Sequence, residues 1–263
     1  MIASTGNTIK ISIITAVYNR RRTVSAAIES VLQQDYDSIE YIVVDGMSDD
    51  GTDEVIQQHK DRIDIHVREP DDGIYDALNK GIGLATGDVI GFLHADDLLA
   101  HSSVIRSIAD KLQQTEADAC YGDLLYVNAE DPQKVVRYWK SGEFARKRFF
   151  YGWMPPHPTC YIKRSVYETA GKYRTDMSIA ADYELLIRMM VKGQIPVAYV
   201  DDILVKMRVG GKSNRSLKNR LLANREDALA WKHNDLSAPM LLRFMKPLRK
   251  IGQYINKPSN NNR

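Results

Sequence analysis

Two adjacent carboxylates, Asp96 and Asp97, end the stretch Gly87-Asp88-Val89-Ile90-Gly91-Phe92-Leu93-His94-Ala95-Asp96-Asp97. Val89–Leu93 reads as a short buried strand that begins after a Gly-Asp turn. Two acids at the end of such a strand repel one another and are costly to desolvate. A divalent cation relieves both penalties. Oxygen-only ligands suit Mg²⁺ or Mn²⁺, which take one or two carboxylates and leave other positions to substrate phosphates. The same pair also suits a structural role, with Asp96 capping the next helix and Asp97 an acid in its first turn.

The elements that must position this pair follow from hydrophobic periodicity. Strands are predicted at Ile11–Val17, Ile39–Val44, Ile63–Val67 and Val89–Leu93, and helices at Thr23–Leu32, Asp53–Lys60 and Ile74–Ala85. This alternation predicts a parallel sheet with helices on its faces. Ligands bind such sheets outside the carboxyl ends of the strands. Tyr18-Asn19, Asp45 and Asp96-Asp97 all stand at those ends. Further on, a helix at Ser102–Leu112 precedes two antiparallel strands, Ala119–Val127 and Val135–Trp139, so the sheet ends mixed. Residues 140–160 form an aromatic and proline-rich loop, of a length that is more often functional than idle. A short strand at Tyr161–Lys163, helices at Ser165–Ala170 and Ala180–Val191, a strand at Ile195–Val200 and a polar helix at Asn214–Trp231 complete the reading.

Several classes are weakened. No Gly-x-Gly-x-x-Gly follows the first strand and no Walker loop is present, which argues against dinucleotide-binding and P-loop enzymes. No internal repeat is found. The two cysteines, Cys120 and Cys160, lack metal-ligand spacing and fit a reducing cytoplasm. No apolar run reaches signal-peptide or membrane-span length, so a cytoplasmic chain is expected. The net charge of +2 conceals an asymmetry: residues 1–202 hold 22 Lys+Arg and 31 Asp+Glu, whereas residues 203–263 hold 14 and 3. A basic tail on an acidic body points to an anionic partner for the tail.

Taken together, Ile11–Asn19, Tyr41–Thr52, Asp72–Asp97 and Pro155–Arg188 resemble the family 2 glycosyltransferases, in the branch that builds bacterial surface polysaccharides. The resemblance spans about residues 9–210. It implies a GT-A α/β fold, with a mixed, mostly parallel sheet, helices on both faces and a C-terminal helical extension. It also implies inverting transfer from a nucleotide-diphosphate sugar with Mn²⁺ or Mg²⁺. By this likeness Tyr18 lies at the nucleobase, Asp96 toward the ribose and Asp97 toward the metal. Asp182, in Ala181-Asp182-Tyr183, is the catalytic base; read from the residues alone, it is a helix-start acid favoured by the dipole. The family usually has Asp-Asp-Gly-Ser where this chain has Asp45-Gly46-Met47-Ser48. The base-reading second acid is therefore Gly46, so Asp45 or backbone groups are expected to take over its contact, with uridine the first expectation for the base. Arg208 and Lys212 fall in a Gly-rich segment where the family often has a loop over the diphosphate; they are otherwise solvated cations. His157 between prolines reaches the metal or acceptor or serves the loop structurally, and Trp153 stacks on an acceptor sugar or packs beneath the loop.

The expected division is a catalytic domain at 1–210 and a basic extension with a disordered end at 211–263. Within the extension, residues 238–255 combine Met240, Leu241, Leu242, Phe244, Met245 and Leu248 with Arg243, Lys246, Arg249 and Lys250, with Pro247 breaking the helix. A basic amphipathic stretch suits an anionic membrane surface at the inner face of the plasma membrane and a saccharide or lipid-linked saccharide acceptor; core packing requires the same apolar spacing. No nucleic-acid partner is expected. Two rival functions remain: a sugar nucleotidyltransferase, which would normally carry a glycine-rich basic loop near the first strand, and a catalytically degenerate sugar-nucleotide-binding subunit, against which the retention of Asp45, Asp96, Asp97 and Asp182 speaks.

Overall fold

The computed structural model describes residues 8–210 and 217–239. Its first half follows the predicted alternation: β1 (Ile11–Val17), α1 (Val24–Leu32), β2 (Ile39–Asp45), α2 (Thr52–Gln57), β3 (Ile65–Arg68), α3 (Ile74–Leu84) and β4 (Val89–Phe92). β1 pairs in parallel with β2 and β4, and β2 in parallel with β3. Side chains alternate across a strand, so β1 feeds two cores: Ile11, Ile13 and Val17 join the cluster on one face, Ile14 and Ala16 the cluster on the other. Helices on both faces cover these residues, and every residue of β1 is buried. α3 lies close on β1 because Gly81 has no side chain; a Cβ there would overlap Ile14.

The second half reverses direction. It comprises β5 (Leu98–Leu99), α4 (Val104–Thr115), β6 (Ala119–Val127), β7 (Val135–Trp139), β8 (Tyr161–Lys163), α5 (Arg164–Ala170), α6 (Ala181–Leu186), β9 (Val197–Arg208) and α7 (Leu217–His233). The nine strands form one sheet in the order β3-β2-β1-β4-β8-β6-β9-β5, with β7 added to β6. β8 is antiparallel to β4 and β6, β9 parallel to β6, and β5 antiparallel to β9. Three features depart from the sequence reading. β9 runs eight residues beyond the expected Val200, because its irregular register at Asp123 carries it past the Asp201-Asp202 pair and back along β6. β5, two residues long, was not expected, and it pairs Leu98 with Lys206. The helix expected over Ala180–Val191 is α-helical to Leu186 and continues as a π-helical segment, Ile187–Lys192.

α7 packs on α6 as part of the same core. Trp231 and Ala230 are fully buried there, and the Trp231 indole N–H donates to the Tyr183 hydroxyl at 3.1 Å. Cys120 and Cys160 are buried free thiols. No described helix is long and apolar enough to cross a membrane. Lys212 and most of the basic stretch 238–255 lie outside the described residues.

Candidate active site

The ends of β1, β4 and β9, the start of α3 and the segment before α6 enclose a cleft of about 480 Å³. Tyr18, Arg20, His94, Asp96, Asp97 and Arg208 line it, together with Asp71, Tyr75, Ser178 and Ile179. The unexpected β5 explains why Arg208 is present. Pairing of Leu98 with Lys206 brings the end of β9 against the acids that precede β5. The Arg208 backbone N–H donates to Asp97 Oδ1 at 3.2 Å, and its Nη1 donates to the Asp96 carbonyl at 2.7 Å.

Asp97 is 1% exposed, and its Oδ2 has no hydrogen-bond partner among the described residues. Burial, reinforced by the neighbouring Asp96 charge, pushes its carboxyl well above the usual carboxylate range, against the opposing pull of Arg208. Asp96 is more open, with Arg20 Nε 3.7 Å from its carboxylate. An orphaned, buried acid oxygen beside a second acid is a donor set that suits a hard cation. Among the described residues no three His, Cys, Asp or Glu side chains converge on a point. At this point of the cleft, Asp96 and Asp97 would offer a cation two carboxylates, leaving its other positions to phosphate and water oxygens.

Tyr18 is 57% exposed and presents its ring at the cleft. It is held by its neighbour Asn19, which adopts φ 52°, a left-handed conformation that Asn tolerates. Asn19 exchanges two hydrogen bonds with Asp49, of 2.9 and 3.0 Å, and donates its backbone N–H to Ser48 Oγ at 2.9 Å. The loops after β1 and β2 thus form one rim.

Asp45 does not line the cleft, contrary to expectation. It is fully buried beneath that rim. Its Oδ1 accepts from the Ser48 N–H and hydroxyl at 3.1 and 2.5 Å, and its Oδ2 accepts from Arg68 Nε at 3.2 Å. Both oxygens serve the turn, and no free face is left for a base. Trp153 is likewise a packing residue: it is 5% exposed among Tyr121, Phe144 and Phe149, with the Arg148 guanidinium 4.2 Å over its ring. His157 is buried, stacked on Phe92 and hydrogen-bonded through Nε2 to the Tyr173 hydroxyl at 2.6 Å. It stands behind the cleft, with ring centroids 6.1 Å from His94.

Asp182 opens α6 and meets the cleft through Tyr75. The Tyr75 hydroxyl donates to the Ile179 carbonyl at 2.8 Å and lies 3.3 Å from Asp182 Oδ1. The Asp182 Oδ1 also accepts the Tyr183 N–H at 2.8 Å. Six of the lining residues named above escaped the sequence reading: Arg20, Asp71, Tyr75, His94, Ser178 and Ile179. Burial holds His94 below its ordinary value and so neutral, despite the raising influence of Asp96 and Asp182. Its position between the apolar strand and the two acids was the available signal.

The architecture and the strand-end cleft define a GT-A nucleotide-diphospho-sugar transferase fold. Among solved structures, S. aureus TarS 1–349 in complex with UDP superimposes with a TM-score of 0.69 at 16% identity, covering 93% of this chain and 72% of that one. The mannosyltransferase PcManGT from Pyrobaculum calidifontis, in complex with GDP-Man and Mn²⁺, gives 0.65 at 18% identity, covering 93% and 70%. The chain itself belongs to glycosyl transferase family 2, whose model matches residues 12–169. A "PGL/p-HBAD biosynthesis glycosyltransferase" of Mycobacterium bovis is 27% identical over 217 residues, 80% of this chain and 82% of that protein. Glycosyltransferase GlyG of Streptococcus pneumoniae is 26% identical over 136 residues, 51% of this chain and 44% of that protein.

Proposed function

We propose that this glycosyltransferase moves a sugar from a nucleotide-diphosphate donor to a saccharide hydroxyl with inversion at the anomeric carbon. The observation that carries the reading is the cleft that joins Tyr18, the Asp96–Asp97 pair and Arg208, with Asp182 reached through Tyr75. The base would rest on Tyr18 and the ribose near Asp96. Asp97, with Asp96, would hold Mn²⁺ or Mg²⁺. When bound, that ion neutralises charge on the departing diphosphate. Arg208 and Arg20 add positive charge at the same edge. Asp182 takes the proton of the acceptor hydroxyl as its oxygen bonds to the anomeric carbon and the bond to the diphosphate breaks. The solved neighbours carrying UDP or GDP-Man with Mn²⁺ support a nucleotide donor of this kind.

A lipid-linked acceptor at an anionic membrane surface is the second part of the proposal, and the composition of residues 238–255 supports it. Thermal shift of the full chain against UDP-, GDP- and other nucleotide sugars, with and without Mn²⁺, tests the donor, since a ligand that binds only the folded state raises Tm. Metal-dependent stabilisation by one of these donors is expected; a flat response to all of them would contradict it. Cosedimentation with anionic and neutral vesicles tests the surface. The full chain should prefer anionic vesicles, and replacement of Arg243, Lys246, Arg249 and Lys250 by Glu should abolish that preference.

A further inference from the structure

Gly46 stands where the resemblance calls for a base-reading acid, and Asp45 is spent on the turn beside it. The space above Gly46 is not empty. The carboxylate of Asp71, from the loop between β3 and α3, fills it: an ideal Cβ on Gly46 would overlap Asp71 Oδ2 and stand 3.0 Å from its carboxyl carbon. The Gly46 backbone does not require glycine for its φ, so the constraint at this position is the room taken by Asp71.

Asp71 is held in place. Its Oδ1 accepts the Gly73 N–H at 2.9 Å, and the loop before it is anchored by Lys80, which donates to the Pro70 carbonyl and pairs with Glu69 at 3.1 Å. Its Oδ2 has no hydrogen-bond partner among the described residues, and Asp71 lines the same cleft as Tyr18. Gly46 itself donates to the carbonyl of Val17, the residue before Tyr18, at 2.9 Å. An acceptor-only group is thus set in the cleft that Tyr18 also lines.

We propose that Asp71 reads the nucleobase, a carboxylate delivered from the β3–α3 loop into the place vacated by the side chain of residue 46. The inference rests on the nucleotide-sugar reading above. A carboxylate accepts and cannot donate, so it selects a base with a ring N–H on its pairing edge: uracil through N3–H or guanine through N1–H. Cytosine presents a bare N3 lone pair there and is repelled, which gives discrimination by an unfavourable contact as well as a favourable one.

Calorimetric titration of the full chain with UDP, GDP, CDP and inorganic pyrophosphate, in the presence of Mn²⁺, tests it. Wild type should bind UDP or GDP more tightly than CDP. Asp71→Asn keeps the acceptor for Gly73 but adds a donor, so it should shift the preference toward CDP on the order of tenfold or more and leave pyrophosphate binding unchanged. Combining Gly46→Asp with Asp71→Gly should restore the wild-type order, and this double variant also guards against a loop that merely loses its shape. If wild type binds no nucleoside diphosphate, the donor reading falls and takes the inference with it. If wild type discriminates and Asp71→Asn discriminates equally, the inference alone is overturned.

Discussion

Glu226 of α7 accepts the backbone N–H of Ala180, the residue immediately before the helix that carries Asp182, at 2.8 Å. The same buried carboxylate accepts from Ile179 at 2.8 Å and Ser178 at 3.0 Å, so one side chain satisfies three successive backbone donors. Ser178 and Ile179 line the cleft, and the Ile179 carbonyl takes the Tyr75 hydroxyl. α7 therefore helps set the position of Asp182 through the backbone that leads into its helix. Glu226→Gln replaces one acceptor by a donor facing these N–H groups. Hydrogen bonds to a charged group contribute about 1.5–3 kcal/mol, so Tm should fall by several degrees. In the proposed reaction kcat should fall while KM for the donor stays within about twofold, a split that loss of stability alone would not produce.

Asp182→Asn should leave donor binding close to wild type and lower transfer by about 10²–10⁴, the usual contribution of a general base. Binding is read by calorimetry and transfer by release of nucleoside diphosphate with acceptor present. Transfer within a few-fold of wild type would assign the proton to another group.

Asp97 should make the metal-free protein less stable than it need be. Its folded-state value is raised by burial, so this contribution to stability is fully present below the ordinary carboxylate value of 3.8 and is lost as pH rises through the raised one. Asp97→Asn should raise the metal-free Tm by a few degrees, since about 1 kcal/mol corresponds to 2–4 °C in a domain near this size. It should also lose the Tm gain that Mn²⁺ gives wild type. A variant less stable than wild type that keeps the Mn²⁺ gain would refute both statements.

His157 should show the opposite sign. Burial, with help from His94, lowers its value from 6.5 to about 3. As pH falls, the unfolded chain takes up this proton first, so stability drops from about pH 6.5 downward toward 3. His157→Gln should flatten the decline of Tm between pH 7 and 4.5 relative to wild type; parallel profiles would show that His157 does not contribute to it.

The parallel half of the sheet is legible because β1, β2 and β4 are short, mostly apolar runs, buried on both faces along nearly their whole length. The strand-end rule then places Tyr18 and Asp96–Asp97 on one edge, and both line the cleft there. β9 was cut short because Asp201-Asp202 reads as the end of a strand, whereas both acids sit at an irregular register that the strand passes through. With that half of β9 missing, β5 had no partner, and the contact of Arg208 with Asp97 could not be foreseen. Asp45 and Asp71 illustrate the same limit at the site. Asp45 looked available because it ends a strand, but Ser48 and Arg68 consume it. Asp71 carried no local signal, since its proposed role depends on a glycine 25 positions away.

The most direct measurement follows the anomeric centre. Wild type, Mg²⁺, an acceptor and a nucleotide-diphosphate sugar with an axial leaving group are monitored by proton NMR from the first turnovers. The transferred sugar should appear with an equatorial glycosidic bond, at a rate that Asp182→Asn lowers by at least about a hundredfold. An axial first product, or turnover equal in wild type and Asp182→Asn, would contradict inverting transfer with Asp182 as its base.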